Sequence, residues 1–208
     1  MARPRKFDDE TRAALIRDTA DQIVTGGVES VSLRPLAAKH GCSTTAIYTM
    51  FGSRDALIEA VVHESVESFT RSQESVPITG DPLEDLWELG RAYRQWALKY
   101  PALYVVMIGR GGKRPDISPE EFTENSPRMI AAKRAIETLF RRVAECAAHG
   151  ILGNYPIEEM GNSIWASVHG WVSIEATRPV MMGQDPDEAY DRYMQSLVRA
   201  WAPSAAQA

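Results

Sequence analysis

Four hydroxyl-bearing side chains fall on one side of a short helix that the sequence predicts between Ser43 and Phe51. At about 100° per residue, four polar positions share that side and four apolar positions share the other. The polar set is Thr44, Thr45, Tyr48 and Thr49, and the apolar set is Ala46, Ile47, Met50 and Phe51. Threonine hydroxyls donate and accept hydrogen bonds, and threonine methyls pack on thymine. The pattern favours a helix that reads base edges in a major groove, while a merely solvated polar face is the alternative.

The residues before this helix predict a second short helix and a tight turn. Ser32 can cap that first helix, and Pro35 falls in its first turn, where the missing N–H costs little. Gly41 can adopt a positive φ in the turn, and Ser43 can cap the following helix. Two short helices joined in this way form a helix-turn-helix.

Cationic side chains flank the pair. Arg34 can bond guanine through its forked guanidinium or clamp a phosphate, and the sequence leaves both open. The Tyr48 hydroxyl can reach a phosphate, although its ring can also pack beside Phe51. Arg54 lies in the first turn of the next predicted helix, where free backbone N–H groups also favour a phosphate. Three further cations precede the first predicted helix: Arg3, Arg5 and Lys6. They can follow the DNA backbone, enter a minor groove or remain without contact to DNA.

Together these motifs resemble the TetR family of transcriptional regulators over about Thr11 to Val62. The resemblance includes Arg34-Pro35-Leu36-Ala37, Gly41-Cys42-Ser43, Ile47-Tyr48-x-x-Phe51 and Ser53-Arg54-Asp55-Ala56-Leu57. It implies base contacts near Arg34, Thr44 and Thr45, and a phosphate contact at Arg54, where the family usually has lysine. It also implies a homodimer that binds double-stranded DNA at a palindromic operator, with half-sites about 34 Å, or a multiple of that distance, apart.

Composition is that of an ordinary globular protein, with 44% hydrophobic and 25% charged residues in a chain of 208. The net charge is −5, but residues 1–55 hold eight Lys/Arg against seven Asp/Glu, while the remainder holds fifteen against twenty-one. This distribution is compatible with DNA binding at the N-terminal end without arguing for it. A signal peptide and an apolar run of about 18 residues are both missing, so we expect a cytoplasmic protein without a membrane partner. Cys42 and Cys146 lack metal-ligand spacing, and no cofactor is predicted.

Helical periodicity continues to the end of the chain, and no strand-like alternation persists. We therefore predict an all-α fold of about nine helices. Residues 1–55 are predicted to form a three-helix DNA-binding domain with a helix-turn-helix and a basic arm. Residues 56–208 are predicted to form a helical ligand-binding and dimerisation domain.

The last two predicted helices, 157–176 and 187–201, have features of a subunit interface. Gly161 and Gly170 each cost a helix about 0.8–1.0 kcal/mol relative to alanine, which is easier to explain where another backbone approaches. The run Trp165-x-x-x-His169-Gly170 resembles a Trp-His-Gly motif of one TetR subgroup. A hydrogen-bonded His169 is favoured over an acid–base residue or metal ligand, because no suitably spaced partner accompanies it. The predicted interface comprises Gly161, His169, Gly170, Tyr190, Tyr193, Met194, Leu197 and Trp201.

Large apolar side chains in the C-terminal part suit either a ligand cavity or a dry core. Methionine and aromatic side chains adapt to varied flat ligands, which points to a small apolar or aromatic effector. The candidate lining is Trp87, Tyr104, Met107, Phe140, Trp165 and Trp171. The leading hypothesis is a repressor that such an effector releases from DNA. The alternatives are an enzyme that uses Cys146, His149 or His169, and a protein-interaction module whose reading helix is unused.

Overall fold

The computed structural model of the chain describes residues 9–109, 127–178 and 185–203. Within these ranges the chain forms nine α-helices, one 3-10 turn at Val28–Ser30 and no strand, which confirms the predicted all-α fold. The helices are α1 (Asp9–Gly26), α2 (Leu33–Lys39), α3 (Thr44–Phe51), α4 (Arg54–Glu74), α5 (Pro82–Lys99), α6 (Pro101–Met107), α7 (Pro127–Ala148), α8 (Ile157–Thr177) and α9 (Pro186–Ala200). None of the helices in these ranges is both long enough and apolar enough to span a bilayer.

The first compact unit, residues 1–68 and 100–130, contains the helix-turn-helix. Its core includes Leu15 and Ile16 of α1 and Ile47 of α3, all at most 1% exposed. Helix α6 packs against α1 and buries Tyr104 completely. The unit therefore extends past the predicted boundary at residue 55, because contacts between distant segments add part of α4 and all of α6. The functional division at that residue stays a prediction.

Local hydrogen bonds determine where α3 and α4 begin. Gly41 has a φ of 60° in the turn, and the Ser43 hydroxyl accepts from the Ala46 N–H at 3.1 Å. Ser53 accepts in the same way from the Ala56 N–H at 3.0 Å. The Ser32 side chain, in contrast, makes no cap bond, so the cap predicted there is wrong. Its backbone N–H instead donates to the Gln22 side chain at 2.9 Å.

The second compact unit comprises residues 69–99 and 131–208. Arg94 of α5 connects α8 and α9 within it. Its Nε and Nη2 donate to the Glu175 carboxylate at 2.7 and 2.6 Å, and its Nη1 donates to Asp187 at 2.6 Å. Glu175 is only 5% exposed, and its hydrogen bonds raise the pKa of Arg94. This charge cluster joins three helices at one point.

A buried cation, Arg142 of α7, faces α5. It is 1% exposed, and its Nη1 lies 3.6 Å from an Asp85 carboxylate oxygen. The backbone N–H and hydroxyl of Thr79 donate to Asp85 and lower its pKa. One turn further along α7, the Cys146 thiol donates to the Pro82 carbonyl at 3.1 Å, and burial raises its pKa to about 11. These contacts connect α5 and α7.

Candidate nucleic-acid interface and apolar cavity

Helix α3 presents its hydroxyl groups outward. Thr45, Tyr48 and Thr49 are exposed and Thr44 is half-exposed, with Tyr48 at 50%. Behind them Ile47 is fully buried, which anchors the helix to the core of the first unit. The Thr49 hydroxyl donates to the Thr45 carbonyl at 2.9 Å, so its oxygen can still accept a bond from a base. Contact of these four side chains with DNA stays a prediction.

The cationic side chains around α3 differ in the number of contacts that they make within the protein. Arg34 is exposed on α2 and stays a candidate for base or phosphate contact. Arg12 of α1 lies with its guanidinium carbon 5.1 Å from the centre of the Phe51 ring, which supports the end of α3. Arg3, Arg5 and Lys6 fall outside the described residues.

Arg54 has a structural role that the sequence pattern did not reveal. Its Nε donates to the Val31 carbonyl at 3.0 Å, its Nη2 donates to the Val28 carbonyl, and its Nη1 lies 3.3 Å from Asp55. The guanidinium therefore joins α4 to the 3-10 turn, more than twenty residues earlier in the chain. No local signal predicts that pairing, and the predicted phosphate contact of Arg54 competes with it.

A charge cluster joins α2 to α1. One Asp18 carboxylate oxygen lies 2.7 Å from Lys39 Nζ and 2.7 Å from His40 Nε2. Burial opposes ionisation of Asp18, but the hydrogen bonds from Lys39 and His40 outweigh it and lower its pKa. His40 directly follows the last residue of α2 and contacts α1 through this pair. Cys42 in the adjacent turn is half-buried.

The second unit contains an apolar cavity of about 50 Å³ among α4, α5, α7, α8 and α9. Its walls include Phe69, Gln73, Tyr93, Trp165 and Met194. Of the six residues predicted to line a pocket, Trp165 lines this one. Gln73 was missed, although a signal existed: it continues the buried stripe of α4 at four residues beyond Phe69.

The other predicted lining residues pack elsewhere. Tyr104 and Met107 belong to α6, in the first compact unit. The Phe140 ring contacts Gly161, and Trp171 stacks on Tyr193 with ring centres 4.7 Å apart. Trp87 is half-buried on α5 and is not part of the cavity wall. These five side chains do not line this cavity, because helix packing, not residue type, decides which large apolar side chains surround a space. Their contact with a ligand stays a prediction.

Three residues of the predicted subunit interface are covered by their own chain. Tyr190 is 1% exposed and donates its hydroxyl to the Gly90 carbonyl at 2.7 Å. Met194 is 3% exposed and lies against the same glycine. Gly161 is buried, and a Cβ there would lie 2.3 Å from the Phe140 ring. All three serve packing within one subunit, so they are corrected as interface residues.

The outward side of α8 is different. Trp165 and Ile174 are 41% and 47% exposed, and a Cβ at Gly170 would meet no atom within 4 Å. His169 pairs its Nδ1 with the Tyr93 hydroxyl at 2.8 Å and stacks on Trp165. No set of three potential metal ligands occurs among the residues that the structure describes. Its pairing with Tyr93 makes His169 a hydrogen-bonded histidine, which is the role that its isolation in the sequence favoured.

The remaining predicted interface residues lie on α9 or just after it. Tyr193 and Leu197 are half-exposed. Trp201 is half-buried, with its ring centre 5.2 Å from that of Tyr155. These side chains leave part of their surface uncovered, and their contact with a second subunit stays a prediction.

Two family models match the chain. The model described as "Bacterial regulatory proteins, tetR family" matches residues 15–61, from α1 into α4. The model described as "Tetracyclin repressor-like, C-terminal domain" matches residues 86–197, more than half of the chain. The chain belongs to the TetR family of transcriptional regulators. The resemblance is confirmed, and both models describe regulators, not enzymes. The Trp-His-Gly subgroup stays a prediction.

Individual relatives of this TetR-family chain are distant. The HTH-type transcriptional regulator Rv1816 of Mycobacterium tuberculosis strain H37Rv is 22% identical over 138 residues, which cover 64% of this chain and 58% of the relative. A protein of unknown function from Rhodococcus sp. RHA1 has a TM-score of 0.74 at 22% identity, covering 97% of this chain and all of that one. The TetR family transcriptional regulator PfmR of Thermus thermophilus has a TM-score of 0.70 at 18% identity, covering 89% and 97%. These structures share the fold.

Proposed function

We propose that this TetR-family protein is a homodimeric repressor that binds a palindromic operator and leaves it when a small apolar effector binds. The exposed hydroxyl face of α3 is the observation that supports DNA binding most directly. The buried Ile47 fixes the inner side of that helix, and the Ser43 cap fixes its first turn. The polar face of α3 is therefore preorganised for DNA binding. A regulator must share a compartment with the chromosome, so we also propose a cytoplasmic location.

Two copies are needed because one short helix reads few base pairs. The exposed Trp165 and Ile174 and the open space at Gly170 support a subunit interface along α8. A two-fold axis through such an interface would present two copies of α3 to half-sites one or more helical turns apart. The operator is then an inverted repeat.

The cavity of the second unit supports the effector part of the proposal. A ligand there would stabilise one arrangement of the subunits and so change the fraction of protein able to bind the operator. The fatty acid degradation regulator FadR of Bacillus halodurans has a similar fold, with a TM-score of 0.70 at 14% identity.

Selection of bound DNA from a random pool tests the proposal. We expect an inverted repeat, and Arg34→Ala should weaken the preference at one base of each half-site by about 1–3 kcal/mol. Arg192→Ala, on α9, is the matched control and should leave the selected sequence unchanged. A pool without enrichment would contradict sequence-specific binding, whereas an equal loss for all sequences in Arg34→Ala would make Arg34 a phosphate contact.

A further inference from the structure

One polar side chain in the wall of the cavity is left unsatisfied. Gln73 of α4 is 4% exposed, and its Nε2 is buried without a hydrogen-bond partner. The other polar group in the wall, the Tyr93 hydroxyl, is already paired with His169 at 2.8 Å. A buried amide donor without an acceptor is costly, so native structures rarely leave one without a reason. Gln73 is therefore a wall residue of an apolar cavity whose amide donor has no partner within the protein.

The wall also excludes one kind of ligand. Among the described residues, every other side chain around the cavity is apolar or aromatic, and none is charged. A carboxylate or an ammonium group placed there would lose its hydration without gaining a counter-ion. The cavity thus favours an uncharged molecule, most of whose surface is hydrocarbon.

The size of the cavity implies movement on binding. Its volume of about 50 Å³ holds only a few atoms, whereas ligand sites typically measure about 300–1,000 Å³. Two side chains of the wall can change conformation to enlarge the cavity. Met194 is flexible because its side chain is unbranched. Trp165 is 41% exposed, so its ring forms part of both the wall and the surface.

From the free donor, the uncharged wall and the adaptable side chains, we propose that this cavity binds a neutral, mainly apolar effector with one hydrogen-bond acceptor. The acceptor, such as the carbonyl oxygen of a ketone, ester or amide, receives the hydrogen bond of Gln73 Nε2. This inference rests on the proposed function, because it names the chemical class of the effector. It assigns Gln73 as the residue that selects carbonyl compounds over hydrocarbons of the same shape.

Binding of three small aromatic probes to the full-length protein tests the proposal. Acetophenone carries the acceptor, ethylbenzene has nearly the same shape without it, and benzoate is charged. We expect calorimetry to show acetophenone binding at least 10-fold more tightly than ethylbenzene, and no benzoate binding. In Gln73→Leu the ratio should fall to about one, because leucine keeps the volume but removes the donor. Gln95→Leu, the same change at an exposed position of α5, should keep the ratio.

Each result has a distinct meaning. Equal binding of acetophenone and ethylbenzene, tightest binding of benzoate, or binding of no probe at millimolar concentration would overturn the assignment of Gln73. An unchanged ratio in Gln73→Leu would do so as well, and a thermal melt of that variant shows whether it is folded. Operator release is measured separately by fluorescence anisotropy of labelled DNA. If acetophenone binds through Gln73 but leaves DNA bound, the effector part of the proposed function fails while the ligand class stands.

Discussion

Helix α3 and the apolar cavity are built from contacts of different range. Around α3, the Ser43 cap spans three residues and the Asp18–His40 pair spans twenty-two. In the second unit, Arg94 reaches Glu175 across eighty-one residues and Tyr190 reaches Gly90 across one hundred. The comparison teaches that an exposed polar helix face can be encoded in one short segment, whereas a cavity needs several distant helices to be positioned first.

The largest expected effect concerns the long-range charge cluster. Arg94→Met leaves Glu175 buried without its partner and should lower the free energy of unfolding by about 3–5 kcal/mol, measured by urea denaturation. The double variant Arg94→Met/Glu175→Met should recover most of that loss. Arg192→Met breaks an exposed pair with Glu188 and should cost about 0–1 kcal/mol. A loss of the same small size in Arg94→Met would show that the cluster contributes little to the second unit.

The next effect separates packing glycines from interface glycines. Gly161→Ala would place a Cβ 2.3 Å from the Phe140 ring and should destabilise the fold by about 1–3 kcal/mol. Gly170→Ala meets no atom of its own chain and should stabilise the helix by about 0.8–1.0 kcal/mol. If a second subunit packs against Gly170, Gly170→Ala should also raise the dissociation constant of the dimer, which analytical ultracentrifugation measures. Equal destabilisation of folding by both changes would contradict the distinction.

A smaller effect on the free energy of unfolding is expected for the short-range cap of α3. Ser43→Ala removes the cap of α3 and should lower the free energy of unfolding by about 1 kcal/mol, with a parallel loss of operator affinity. Ser32→Ala is the matched control, because its side chain caps nothing, and should change stability by less than about 0.5 kcal/mol. Equal effects of the two substitutions in urea denaturation would show that the lost stability does not come from the Ser43 hydrogen bond.

The smallest effect depends on pH. The pKa of Asp18 is lowered in the folded protein from its ordinary 3.8, so its stabilising contribution is present above that pH and is lost as pH falls below it. The stability difference between the wild type and Asp18→Asn should therefore shrink as the pH falls below about pH 4. Denaturation curves across this range measure it. A difference that grows on acidification would contradict the assigned role of Asp18.

Most of the helical pattern could be predicted, but the roles of several residues could not. Gly41 and Ser43 act as predicted because a turn and a cap depend on neighbouring backbone atoms alone. Ser32 looked equivalent to Ser43, yet its cap bond is missing. Arg54 and Tyr190 bond carbonyls that lie 26 and 100 residues away, and no local pattern predicts such partners.

By itself, the sequence determined the all-α fold, the helix boundaries near caps and glycines, and the outward polar side of α3. These features depend on backbone geometry and side-chain periodicity within a few residues. Only the tertiary structure decided that Gln73 and Trp165 line the cavity while Trp87 and Trp171 do not. The physical reason is that a cavity wall is a property of the space between helices, and that space exists only once distant segments have packed.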